Sequence, residues 1–163
     1  ENFDEWSSSY VVLWSSNLVF RPTEQLRTEW SYTRQQYLRK TDRTSARIRS
    51  LPRIKVEYQL TRDIFFRFVG EYDAVNVDAL RDDGRTNDPL VRSDGNGGYE
   101  RVLAQTRNNF GFDALFSYEP SPGTVVFAGY GSTLTEQKSF RFHGLERRND
   151  GFFVKLSYLF RMK

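Results

Sequence analysis

The sequence predicts an all-β chain, an antiparallel up-and-down transmembrane β-barrel with about seven strands in view. Three observations lead there. Segment after segment alternates apolar with polar side chains at the period of two that strands impose. The connections between segments alternate in length, short then long. No apolar run approaches the roughly 20 residues that a spanning helix needs, whereas a barrel strand needs only about 9 to 11 residues with every second one apolar. The aromatic share of 16%, with 14 Phe and 9 Tyr, supplies rings for the girdles at a lipid boundary.

The first strand runs from Ser9 to Arg21, with Tyr10, Val12, Trp14, Leu18 and Phe20 on one parity and Ser15 and Asn17 opposite. Pro22-Thr23-Glu24 turns the chain, because proline fixes φ and cannot continue a ladder. Gln25 to Tyr37 follows, with Leu26, Thr28, Trp30 and Tyr32 against Arg27, Glu29, Ser31 and Thr33. Residues 38–50 are polar and basic and predict a longer loop, and Pro52 predicts the rim of the next strand, where a missing donor is tolerated. Arg53 to Leu60 alternates strictly: Ile54, Val56, Tyr58 and Leu60 against Arg53, Lys55, Glu57 and Gln59. Thr61-Arg62-Asp63 leads into Ile64 to Tyr72, where Phe66, Phe68, Gly70 and Tyr72 oppose Arg67, Val69 and Glu71, and Phe65 interrupts the polar side.

Residues 73–107, rich in Asp-Gly and Asn-Gly, predict the longest loop, with room for a small hairpin at its tip. Asn108 to Tyr118 returns to strand, Phe110, Phe112, Ala114, Phe116 and Tyr118 opposing Asn109, Gly111, Asp113 and Ser117. Pro120-Ser121-Pro122-Gly123 is a short turn. In Thr124 to Thr135 both parities mix Val, Phe or Tyr with Gly, which leaves its facing open. Residues 136–150 predict a polar loop. From Gly151 to Lys163, Phe152, Val154, Leu156, Tyr158, Phe160 and Met162 oppose Lys155, Ser157 and Arg161. That aromatic-rich end looks like the closing strand of a bacterial outer-membrane barrel, the segment that barrel-assembly machinery recognises, here with Arg161, Met162 and Lys163 following the last aromatic.

The whole of 1–163 reads as one barrel domain or fragment, with residues 1–8 ending an external loop and long external loops near 38–50, 73–107 and 136–150. Seven strands are an odd number, and bacterial single-chain barrels are even. The expectation is therefore the C-terminal part of a larger barrel, completed by an N-terminal remainder or by other copies of the chain. Cysteine is absent, which excludes disulfides, thiolate metal sites and a Cys nucleophile. The net charge of +3, from 24 basic and 21 acidic residues, is interleaved and gives no argument for nucleic acid.

With the strands placed, the sequence resembles a poorly characterised bacterial outer-membrane barrel domain that follows a family-9-type carbohydrate-binding module in many surface proteins. The likeness rests on Val56-Glu57-Tyr58-Gln59-Leu60-Thr61-Arg62, Val69-Gly70-Glu71-Tyr72, Leu115-Phe116-Ser117-Tyr118-Glu119-Pro120-Ser121-Pro122-Gly123-Thr124, Gly129-Tyr130-Gly131 and the segment from Gly151 to Arg161. The resemblance implies an outer-membrane location and a link to surface carbohydrate; it supplies no catalytic residues and no cofactor.

Alternation assigns the side chains. Arg27, Glu29, Arg53, Lys55, Glu57, Arg67, Glu71, Asp113, Lys155 and Arg161 are expected to face a lumen, where mixed signs pair across strands or line a pore. Phe66, Phe68, Phe110, Phe112, Phe116, Val154, Leu156, Tyr158 and Phe160 are expected to face lipid. Arg39, Lys40, Arg43, Arg47 and Arg49, with Arg147 and Arg148, place basic loops where phosphates of an outer-leaflet glycolipid lie. Asp82, Asp83, Asp88 and Asp94, with Asn87 and Asn96, offer oxygen ligands for calcium without the spacing of a helix-loop-helix site, so no metal is assigned. His143, the one histidine, with Ser139 and Asp150 near in sequence, frames a rim hydrolase as an alternative. The leading expectation is a non-enzymatic outer-membrane anchor, scaffold or passage. A secreted sheet subunit that self-assembles through unpaired edges is the other alternative.

Overall fold

The computed structural model describes residues 2–159. Phe160 and Arg161, the last members of the two facing sets, lie outside the described residues. Seven long strands form one antiparallel sheet in which every neighbour in space is a neighbour along the path: β1 (Ser9–Phe20), β2 (Leu26–Arg39), β3 (Ser45–Gln59), β4 (Ile64–Val77), β7 (Gln105–Ser121), β8 (Thr124–Glu136) and β9 (Glu146–Tyr158). The short strands β5 (Val91–Ser93) and β6 (Tyr99–Arg101) pair into a separate hairpin inside the longest connection. β1 and β9 are not paired with each other, and both run from the end that carries the long connections to the end that carries the tight turns.

The strands are longer than the alternation alone indicates. The loop expected at 38–50 is a turn over residues 40–44, because β2 continues to Arg39 and β3 begins at Ser45. The expected loop 73–107 shrinks to residues 78–104, and that at 136–150 to residues 137–145. The reason is common to all three. Near this end of the sheet both faces carry polar side chains, so the period-two signal fades while the backbone ladder continues: Arg47 binds Asp4 at 3.2 Å, and Arg49 holds Asp73 through two hydrogen bonds of 2.8 and 3.1 Å. Pro52 is not at a rim but inside β3. It is tolerated because the β3–β4 register passes from Ser50↔Ala74 to Arg53↔Glu71 with no partner for Leu51 or Pro52.

This sheet has little core of its own. Among the described residues the buried apolar side chains are Ala46, Tyr72, Ala74 and Val75. The accessible surface is 11886 Å², whereas a folded water-soluble monomer of this mass exposes roughly 8,400 Å². The excess fits a sheet that, away from the end where connections fold over it, has no second layer over either face.

Candidate functional site

Registers, followed strand by strand, sort the side chains into two faces. One rung joins Phe20, Thr28, Val56, Phe68, Ala114, Tyr130 and Phe152 across all seven strands. The neighbouring rungs on the same face bring Trp30, Ile54, Gly70 and Phe112 together, and Tyr58, Phe66, Phe116, Ala128 and Val154. Phe66, Phe68, Phe110, Phe112, Phe116, Val154, Leu156 and Tyr158 therefore share one face, as the alternation has them. Rings meet along it: Phe66 lies 5.2 Å from Phe116, Phe112 5.8 Å from Tyr130, and Trp14 5.2 Å from Tyr32. These side chains stay open to the surroundings, Leu18 at 64%, Val154 at 70% and Phe152 at 83%. β8, whose facing the sequence left open, sets Val126, Ala128 and Tyr130 on this face and Phe127, Gly129 and Gly131 on the other.

The apolar face is a band, and it runs obliquely to the rungs. On β1 its members extend from Phe20 upward to Tyr10, towards the long connections; on β9 they extend from Phe152, in register with Phe20, downward to Tyr158. The midpoints of these two rows are displaced by about eight residues, roughly 27 Å, across six strand spacings of roughly 29 Å in total. The band is therefore inclined to the rungs by roughly 40°.

The opposite face is charged and paired. Arg27 stands across from Glu57 and Glu29 across from Lys55, and the four interlock: Arg27 to Glu57 at 2.8 Å and to Glu29 at 3.4 Å, Lys55 to Glu57 at 3.2 Å and to Glu29 at 3.6 Å. Asn17 donates to Glu29 from the next strand at 3.2 Å. Arg53 lies 3.8 Å from Glu71. Arg67, Asp113 and Lys155 occupy this face without an ion-pair partner among the described residues; Glu57, opposite Arg67, is already engaged by Arg27 and Lys55. Phe153 also lies here, its ring over Gly129, where a Cβ would meet Phe153 Cε1 at 2.2 Å.

Connections close both faces at one end. Over the charged face fold residues 2–7, with a bridge between Asn2 and Ser7, and the long connection 78–104. Their anchor is Arg39, 1% exposed, whose guanidinium meets Glu5 at 2.5 Å and Asp78 at 2.7 Å and donates to the Ala79 carbonyl at 3.0 Å. Arg81 reaches Asp42 at 2.6 Å; the hydrogen bond from Arg81, then those from the Thr44 hydroxyl and N–H, hold the Asp42 carboxyl well below the usual carboxylate range. Asp78 is likewise lowered, first by its hydrogen bond from Arg39. Over the apolar face folds the connection 137–145: Phe140 stacks on Tyr72 at 4.4 Å and Phe142 meets Phe110 edge-on at 5.9 Å. Beneath them Tyr72 donates to the buried Glu136 and accepts from the Phe140 N–H, while Ser139 donates to Asn108 at 2.7 Å. The alternation could not show this cluster, because its parts come from three strands and a connection.

The remaining candidates are spread apart. His143 is exposed and makes no side-chain hydrogen bond among the described residues, Ser139 is committed to Asn108, and Asp150 binds Tyr130 and Arg147. Asp82 pairs with Arg85, Asp83 accepts from the Lys40 N–H, Asp94 caps its own turn through Asn96 and Gly98, and Asp88 contributes its carbonyl to Asp82. Among the described residues no group of three or more such side chains gathers into a cation site. Of the basic residues expected at the loops, Arg39, Arg47, Arg49 and Arg147 are held in ion pairs, and Lys40 and Arg43 lean over the Tyr10 ring. Comparison of the chain with protein-family models, curated proteins and solved structures finds no match.

Proposed function

We propose that this chain forms a sector of a transmembrane β-barrel in an outer membrane, where it serves as anchor, scaffold or passage without catalysis of its own. The observation behind this reading is the oblique apolar band. A bilayer is a flat slab, and strands of membrane barrels cross it tilted by roughly 35–45°. A horizontal apolar zone on tilted strands becomes a diagonal in the hydrogen-bond register, and the slope of roughly 40° has the size that such a tilt requires. Exposed apolar area on this scale is also foreign to the surface of a soluble monomer. The paired charges then line an interior, the connections 78–104 and 137–145 lie outside the cell, and folding runs through the barrel-assembly machinery. Carbohydrate handling rests on the family resemblance alone.

Because cysteine is absent, single cysteines placed in turn at positions 64–72 of β4 test the reading. In isolated outer membranes, a water-soluble maleimide should label the positions of Arg67, Val69 and Glu71, and a lipid-soluble quencher should reach probes at Phe66, Phe68 and Gly70. Equal labelling of both parities would overturn the reading. The edge positions of β1 and β9, which do not pair with each other, favour a second one, a secreted subunit assembling edge to edge. It predicts soluble oligomers in which both parities are shielded from the lipid quencher.

A further inference from the structure

Resting on the membrane reading above, we propose that the outward side of the β1–β2–β3 corner is a binding site for the phosphate groups of an anionic outer-leaflet glycolipid, built from Tyr10, Arg34, Lys40 and Arg43. Cations at this corner divide by face. Arg39, Arg47 and Arg49, on the charged face, are neutralised by Glu5 and Asp78, by Asp4 and by Asp73. The carboxylate of Asp83 takes the Lys40 backbone N–H, not its ammonium, and the side chains of Lys40 and Arg43, in the turn 40–44, form no ion pair among the described residues. They converge instead on one ring of the apolar face: the Arg43 guanidinium lies 3.9 Å from the Tyr10 centroid and the Lys40 ammonium 5.8 Å from it. Tyr10 is in register with Leu38 at the top of the apolar row of β1. Lower on the same face, Arg34 of β2 stands opposite Trp14 of β1, exposed and without an ion-pair partner among the described residues.

This disposition fits a ligand with an anionic head and apolar tails. Stacking on Tyr10 holds the Arg43 fork with its N–H edge free, the geometry that binds phosphate through two parallel hydrogen bonds. Lys40 adds a point charge beside it. Below, the face is notched by a groove of about 440 Å³ between Leu18, Trp30, Ile54, Gly70 and Phe142. It is a bed for an acyl chain hanging from a head held at the corner. A zwitterionic phospholipid presents one phosphate with its charge balanced; a phosphorylated glycolipid presents uncompensated negative charge, which the three cations on this outward side match.

Native mass spectrometry of the protein extracted in mild detergent tests this, with a bisphosphorylated glycolipid, its enzymatically dephosphorylated form and a zwitterionic phospholipid as probes. The bisphosphorylated form should be retained over the other two. The double variant Lys40→Ala/Arg43→Ala should lose about tenfold or more of that retention, and Arg43→Lys part of it. Arg147→Ala/Arg148→Ala, at the start of β9, should retain it as the native chain does. Equal retention by the native chain and the double variant, or equal binding of the dephosphorylated form, overturns the site while leaving the membrane reading standing. Full competition by millimolar inorganic phosphate would also overturn it, as a free-anion site. Recovery of native chain and variant alike in the soluble fraction overturns both readings together.

Discussion

Arg39 and Glu5 show what a single buried contact does here. Each has lost its water, and each is fully matched: the guanidinium meets Glu5, Asp78, Thr44 and the Ala79 carbonyl, and Glu5 also accepts the Arg81 N–H. Removing one partner leaves the other charged and dry, so Arg39→Ala should destabilise the folded protein by about 3–5 kcal/mol, measured by denaturant unfolding in detergent. Tyr72→Phe deletes the hydroxyl that donates to Glu136 and accepts from the Phe140 N–H. That should lower stability by about 1–3 kcal/mol and make residues 137–145 the first site of protease cleavage. Phe140 and Phe142 adopt left-handed backbone, φ 60° and 51°, which bulky residues avoid, and the stacking on Tyr72 and Phe110 holds them there. For Asp42 the folded carboxyl is lowered, so its contribution is present above the unfolded pKa and disappears as pH falls through the folded one. The Asp42–Arg81 tie should therefore survive from neutral pH down past the ordinary carboxylate range, and a titration of the Asp42 carboxyl by NMR should find its midpoint well below pH 3.8. A midpoint near 3.8 would mean that the tie does not form in solution.

Single strands are where the membrane reading makes graded predictions. Phe68 lies at the middle of the apolar row of β4, and Tyr118 lies opposite Ile64 at the tight-turn end. Phe68→Arg should cost about 2–4 kcal/mol and Tyr118→Arg about 0–1 kcal/mol in unfolding from lipid vesicles, because the penalty for a charge falls with distance from the midplane. Equal costs at the two depths would remove the slab from the explanation. At this scale most of the sheet was legible beforehand. Arg53 to Leu60 and Ile64 to Tyr72 announce themselves because one face is apolar and the other charged, and the ladder kept the facing that alternation assigned. Legibility ended where that contrast ends. Gln36, Ser50 and Asn76 continue the apolar parity with polar side chains, and so β2, β3 and β4 run further than their pattern does. The sequence presents Arg39 as a loop cation for the same reason: its partners lie 34 and 39 residues away, a separation that no local period reports. β8 hid its facing because Gly129 and Gly131 leave room on one side for Phe153 and Asp113, so small residues stand where large ones would have marked the face.

Taken whole, the molecule is a single curtain of strands with a greasy side, a charged side and two free selvedges. Purified from outer membranes with its intact mass measured, the polypeptide should either carry further strands beyond this sheet or run as a multimer on mild gels and collapse to single chains on boiling. A monomer of this chain alone, stable in lipid, would contradict the requirement that edges be closed there. The shared direction of β1 and β9 narrows what can do the closing. Alternation of direction around a ring works only for an even total, so whatever bridges the gap with antiparallel seams must bring an odd number of strands. Identical copies standing upright in one membrane bring seven each, and every junction between them would join two strands descending side by side, a parallel seam with slanted bonds and slightly weaker pairing. The parity of one sheet thus separates two kinds of complete wall, one with no parallel joint and one with a parallel joint at every subunit boundary.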